Sequence, residues 1–297
     1  MQSRNPIIRY LYRMNRIDDY FQYSVYMRFA AGLSFFNSAM LLAQRDGVGF
    51  AATETTWRNR FGREVKPGAN PLIIIKPFAP VDLYFEACDT YSPDDIPLPD
   101  WVAVDFSSVL QVHSIPFDVS YTLLIRLLNN HGVQYDEREM GGRSHGIMAY
   151  CEAPIWMKVY RKKTCEHIQT HYAMVVNAKC TPVEKAAAIF HEIGHLLCGH
   201  LPLDEKLMKH SWLKLSIPKR ETESLSVQQE EYEAETACML IMNGLGFAYD
   251  RSAYLNDYLV DGQPPEYDLG MSIAAADQFL SWLRGDPELR RQFPFAL

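Results

Sequence analysis

The residues of this chain best suited to chemistry are His191, Glu192 and His195, in the run His191-Glu192-Ile193-Gly194-His195. On a helix, positions i and i+4 share one face a turn apart, so both imidazoles can bind a single zinc ion. Glu192 projects beside them, where its carboxylate can take a proton from zinc-bound water. Composition alone would produce this pattern about 0.016 times in a chain of this length. Its setting is also helical: Thr181 and Glu184 have capping-box spacing and Pro182 falls at the first helical position, so a helix is predicted from about 182. The implied chemistry is metal-assisted hydrolysis, with zinc as cofactor, His191 and His195 as ligands and Glu192 as catalytic base.

A catalytic zinc usually takes three protein ligands and leaves one position for water. The third must come from downstream. Residues 230–242 lie on a second predicted helix, opened by Ser226 and Gln229 as a capping box and closed at Asn243-Gly244. Glu231 and Glu235 share a face of it, so one can bind zinc while the other accepts a hydrogen bond from a ligand histidine. Glu231 is the predicted ligand and Glu235 its hydrogen-bonding neighbour. Glu223, Glu230, Glu233, His200 and His210 are the remaining alternatives, with Glu230 and Glu233 expected on a solvated face. His167 and His171 repeat the four-residue spacing, but Ile168 stands where a catalytic Glu is needed, and a structural role is expected.

These residues must be positioned by the rest of a 297-residue chain of ordinary globular composition. The first forty-five residues read as one or two helices. Strands are predicted at 72–75, 81–87, 146–150, 156–160 and 172–176, with a helix near 118–130 and helices from 182 almost to the end. The last of these strands, just before the zinc helix, is expected at a sheet edge where it can hold an extended peptide. Pro93, Pro97 and Pro99 mark a linker. The expected fold class is α+β, with a small helical and β domain at 1–92, a linker at 93–115 and a hydrolase domain at 116–297.

No apolar stretch reaches the ~20 residues of a membrane span, and the N-terminus lacks the pattern of a signal peptide, so no membrane partner and a cytoplasmic location are expected. The six cysteines never approach zinc-ribbon spacing and are expected as free core thiols. Charge is uneven. Residues 1–80 hold 11 Lys and Arg against 5 Asp and Glu, while the remainder holds 18 against 31, although the chain as a whole is at −7. In the basic part, Trp57, Arg58, Arg60, Arg63 and Lys66 combine an aromatic with phosphate-binding side chains. Stacking plus counterion release is how single-stranded DNA is held; ordinary surface charge is the plainer reading.

The runs His191-Glu-Ile-Gly-His-Leu-Leu-Cys-Gly-His200 and Glu231-Tyr-Glu-Ala-Glu235 resemble the ImmA/IrrE-type zinc metallopeptidases and, more closely, the metallopeptidase domain of ArdC-type antirestriction proteins. Asn37 with Leu41-Leu42, the Trp57 region and Gly62-Arg63-Glu64-Val65-Lys66-Pro67-Gly68 are similar to the ArdC-type single-stranded-DNA-binding domain, but Ala69-Asn70-Pro71 replaces that family's second Lys-Gly. The two matches cover roughly 30–90 and 170–285. The resemblance implies a gluzincin-like metallopeptidase domain with Glu231 as third ligand and Glu235 behind a histidine. It also implies a regulatory, DNA-linked endopeptidase acting on a protein or peptide substrate. The alternative it carries is an antirestriction, single-stranded-DNA-binding protein whose zinc site is structural or latent.

Overall fold

The computed structural model describes residues 5–76, 79–99, 102, 121–141, 145–161, 164–220, 224–245, 247, 249 and 252–292. Its contacts divide into two compact units, whose main spans are Arg4–Ser114 and Ile115–Phe293.

The first unit opens with three helices: α1 (Pro6–Arg13), α2 (Ile17–Ala31) and α3 (Phe35–Gln44). Local caps explain why there are three. Asn5 accepts from the Ile7 and Ile8 amides, Gly32 ends α2 in the left-handed region at φ 63°, and Ser34 accepts from the Asn37 amide. Then follow β1 (Ala51–Thr53), α4 (Glu54–Phe61), β2 (Glu64–Val65), β3 (Leu72–Lys76), β4 (Ala79–Glu86) and β5 (Thr90–Tyr91). They form an antiparallel sheet in the order β1-β4-β3 and a separate β2–β5 pair. The outer edge of β3 is closed by side-chain amides of α3. Asn37 exchanges hydrogen bonds with the Ile75 main chain at 2.9 and 3.1 Å, and Gln44 does the same with Ile73 at 2.7 and 2.8 Å. Two amides thereby stand in for a neighbouring strand.

The second unit holds α5 (Tyr121–Asn130), β6 (Gln134–Arg138), β7 (Gly146–Arg161), β8 (Thr164–Asn177), α6 (Pro182–Cys198), α7 (Val227–Gly244), α8 (Ser252–Leu255), α9 (Leu269–Gly285) and α10 (Pro287–Gln292). The sheet order is β6-β8-β7, with β6 parallel and β7 antiparallel to β8. The fold is α+β. The two strands predicted at 146–150 and 156–160 are one strand, β7, whose pairing shifts register between Tyr150 and Ile155. β6 has no counterpart in the sequence reading, because Gln134-Tyr-Asp-Glu-Arg138 shows no apolar alternation and gains its strand character from pairing with β8. Helices α6, α7 and α9 pack together through Ile189, Ile193, Ala237, Ile241, Ile273 and Phe279, all buried, and Phe190 meets Phe279 edge-on at 5.3 Å.

Most of the expected linker, 100–101 and 103–115, lies outside the described residues. All six cysteines are free, but only Cys198 and Cys238 are buried, while Cys88 and Cys165 are exposed and the other two half-buried. The expectation of core thiols therefore holds for two of six. Among the described residues, no helix is long and apolar enough to cross a membrane.

Candidate metal centre

Helix α6 begins as its sequence dictates. Thr181 accepts from the Glu184 amide, Glu184 reaches back to the Thr181 amide, and Pro182 takes the first turn. It ends at Gly199, held left-handed at φ 78° with Pro218 O only 2.7 Å from where a Cβ would sit. Helix α7 starts on the reciprocal Ser226 and Gln229 cap. The two helices touch at Gly194. A Cβ there would lie 2.8 Å from Ala234 O and 3.0 Å from Ala234 Cα, so the glycine lets the α7 backbone approach the face that carries both histidines.

That approach brings Glu231 to His191 and His195. Their Nε2 atoms stand 3.1 Å apart, and the Glu231 carboxylate lies 3.3 Å from His191 Nε2 and 3.7 Å from His195 Nε2. Ligand atoms of these three residues all fall within 4.8 Å of one another. The far side of each ring fixes its tautomer. His191 Nδ1 lies 2.7 Å from Glu235 Oε2, an acceptor, so Nδ1 carries the proton and donates. Tyr249 donates to the other Glu235 oxygen at 2.6 Å. His195 Nδ1 lies 2.9 Å from His200 Nδ1, and His200 Nε2 lies 2.9 Å from Glu233 Oε2. Since Glu233 only accepts, His200 donates from Nε2, accepts at Nδ1, and makes His195 the Nδ1–H donor. His195 Nε2 then presents a lone pair toward His191 Nε2, which is the His191 nitrogen left for a metal once its proton leaves. Two imidazoles and one carboxylate converging in this way suit a zinc ion, as the sequence predicts.

The electrostatics agree. Burial works against charge on His191, but hydrogen bonds to Glu231 and Glu235 outweigh it and bring its pKa up to about 10. Burial, with His191 and His200 adding to it, holds His195 well below its ordinary value. Burial also pushes Glu231 up, yet His191, His195 and the Tyr254 hydroxyl bring it down to about 2. The carboxylates thus favour charge on His191, while burial disfavours it on His195.

Glu192 is half-buried beside this cluster, and burial raises its pKa above the usual carboxylate range. It packs against β7: a Cβ on Gly146 would lie 3.2 Å from Glu192 Cγ, and the Met148 main chain hydrogen-bonds its carboxylate. Here the expected edge strand is corrected. β8, which contains 172–176, is the middle strand, paired on both sides; β7 pairs only with β8 among the described residues and is the edge beside Glu192. Tyr254, 40% exposed, donates to Glu231 Oε2 at 2.7 Å and stacks edge-on to His191 at 5.3 Å.

The other predicted residues divide. Glu230 is half-buried, His210 is not among the residues brought to the cluster, and Glu223 lies outside the described residues. Glu233 is no solvated side chain. It is 1% exposed, bound by the Arg220 guanidinium, by His200 and by the Asp268 amide at 2.9 Å, because α7 is covered on that face as well. His171 stacks on Tyr150 at 4.9 Å and bonds Cys151 O at 2.7 Å, a structural role. Trp57 is fully buried between Phe50 and Phe61, and its indole donates to Phe85 O at 2.8 Å. A ring with no free face cannot stack on a base, so that assignment is withdrawn. Arg58 pairs with Glu54 at 2.7 Å and Arg60 lies 5.3 Å from the Phe61 ring centroid. Arg63 donates to Thr90 at 2.8 and 3.1 Å, and Lys66 to Cys88 O at 2.8 Å.

Four residues of the centre escaped the sequence reading: Arg220, Tyr249, Tyr254 and, as a hydrogen-bonding partner, His200. Only His200 carried a local signal, lying five residues beyond His195 and just past the end of the helix at Gly199. Comparison of the chain with protein-family models, with curated proteins and with solved structures finds no match.

Proposed function

We propose that this chain is a zinc-dependent metalloendopeptidase, with zinc held by His191, His195 and Glu231. The observation that carries the reading is a carboxylate outside the His-His-Glu group, Glu192, set beside that group and against β7, which among the described residues pairs only with β8. A zinc ion held by these three residues would supply a Lewis acid and lower the pKa of a bound water to about 7. Glu192, with its pKa raised by burial, accepts the proton of the attacking water and returns it to the leaving amine. Past Met148, the edge of β7, which among the described residues pairs with no strand but β8, would offer main-chain groups to an extended peptide running alongside Glu192. Tyr254, whose hydroxyl donates to Glu231 Oε2 at 2.7 Å, holds the carboxylate of the third ligand in place.

The test uses the full chain loaded with zinc and a library of proteome-derived peptides, with cleavage sites read by mass spectrometry. Wild type should generate new termini, and Glu192→Gln should bind zinc equally while cutting at least ~10²-fold more slowly. Cleavage at equal rates in both proteins would remove Glu192 from the chemistry and end the proposal.

A further inference from the structure

Beneath His195 lies a buried polar chain built differently from the Glu235–Tyr249 pair beneath His191. Glu235 backs His191 directly, whereas His195 is backed by a second histidine, His200, and only then by a carboxylate, Glu233. The side chains of His200 and Glu233 are 2% and 1% exposed. Both carboxylate oxygens of Glu233 are engaged. Glu233 Oε2 receives His200 and Arg220 Nη1, and Glu233 Oε1 receives Arg220 Nη2 at 3.3 Å and the Asp268 amide at 2.9 Å. Arg220 Nη1 also reaches Cys198 O at 3.2 Å, one of the carbonyls left open at the end of α6.

Cys198, His200 and Glu233 also bring ligand atoms within 4.8 Å of one another, which raises the question of a second metal ion. Chemistry argues against it. The guanidinium already occupies Glu233, and burial together with Glu233 holds the Cys198 thiol well above its ordinary pKa, far from the thiolate a metal needs. What the chain does have is direction. A carboxylate pinned by arginine can only accept, so it fixes the proton of His200 on Nε2, which fixes the proton of His195 on Nδ1 and leaves His195 Nε2 as a lone pair.

We infer that His200 and Glu233 are positioning residues for the metal: through two successive imidazoles they lock His195 in its metal-binding tautomer and orientation, and Arg220 keeps Glu233 in place. This rests on the metal reading of His191, His195 and Glu231. Groups of this kind, acting on a ligand from behind, change metal affinity by about 10- to 100-fold. A role confined to packing would change thermal stability and leave affinity alone.

The experiment measures zinc affinity of the full chain by chelator competition, together with the melting temperature of the metal-free protein, for wild type, His200→Phe and His200→Gln. Phenylalanine fills the space and ends the relay; glutamine can still accept from His195 and donate to Glu233. His200→Phe should lose 10- to 100-fold in affinity, and His200→Gln should stay within about threefold of wild type. Equal affinity in all three proteins overturns the inference. A long-range 1H–15N spectrum of the zinc-loaded wild type needs no variant, and should show His195 protonated at Nδ1 and His200 at Nε2. A His200 protonated at Nδ1 overturns the relay even where His200→Phe fails to fold. A wild type that takes up no zinc overturns the metal reading itself, an outcome distinct from unaltered affinity in the variants.

Discussion

Replacing Gly194 by alanine adds one methyl group at the closest approach of α6 and α7, and its consequences can be worked from the geometry. The new Cβ would fall 2.8 Å from Ala234 O, 3.0 Å from its Cα and 3.3 Å from its carbonyl carbon. All three are backbone atoms, so no rotamer change relieves them, and the helices must part by roughly half an ångström to restore ordinary contact. Overpacking of this kind costs about 1–3 kcal/mol. Alanine returns up to about 1 kcal/mol through its better helix propensity. The net loss of fold stability is therefore about 0–2 kcal/mol, or no more than about 8 °C in melting temperature for a unit of this size. Metal affinity has no such offset. Glu231 lies three residues before Ala234 on α7, and ligand distances tolerate only about 0.2 Å. A half-ångström shift should thus reduce zinc affinity at least tenfold, measured by chelator competition alongside thermal unfolding of the metal-free protein. Gly285, where a Cβ would meet nothing within 4 Å, is the control, and Gly285→Ala should leave affinity unchanged. Wild-type affinity in Gly194→Ala would refute the argument that this glycine brings the third ligand to the histidines.

Glu231→Ala should abolish stoichiometric zinc binding, while Glu235→Ala, which removes only the acceptor behind His191, should weaken it about 10- to 100-fold; the reverse order would shift the ligand by one helical turn. Zinc must displace the proton that His191 holds with a pKa of about 10, so measured affinity should rise about tenfold per pH unit from 7 toward 10 and fall as pH drops. A flat profile between pH 7 and 9 would contradict that assignment. Trp57→Ala should destabilise the first unit by about 3–5 kcal/mol in chemical denaturation, because it leaves a cavity between Phe50 and Phe61 and orphans Phe85 O. A loss below about 1 kcal/mol would mean that the indole is not a core residue.

Local sequence carried the parts of the site that local physics controls. The capping residues at Thr181 and Ser226 and the four-residue spacing of His191 and His195 are properties of single helices, and each appears where the pattern puts it. Glu231 and Glu235 were readable as a pair on one face, and the structure sets the first at the imidazole nitrogens and the second behind His191. Contacts over long separations were not readable. Arg220 meets Glu233, Tyr254 meets Glu231 across 23 residues, and β6 exists through its pairing with β8, so none is encoded in a periodicity. Trp57 shows the opposite failure. An aromatic among arginines looks like a binding platform in a linear sequence, yet α4 follows directly on β1 and turns the indole inward between Phe50 and Phe61, while the arginines stay on the outer face.

The central claim is that His191, His195 and Glu231 hold a zinc with a position left for water. Zinc K-edge absorption of the zinc-loaded full chain tests it most directly. The account predicts four nitrogen and oxygen neighbours at about 2.0–2.2 Å, two of them imidazole, with no sulfur. A sulfur neighbour at about 2.3 Å would move the ion to Cys198 and contradict the account.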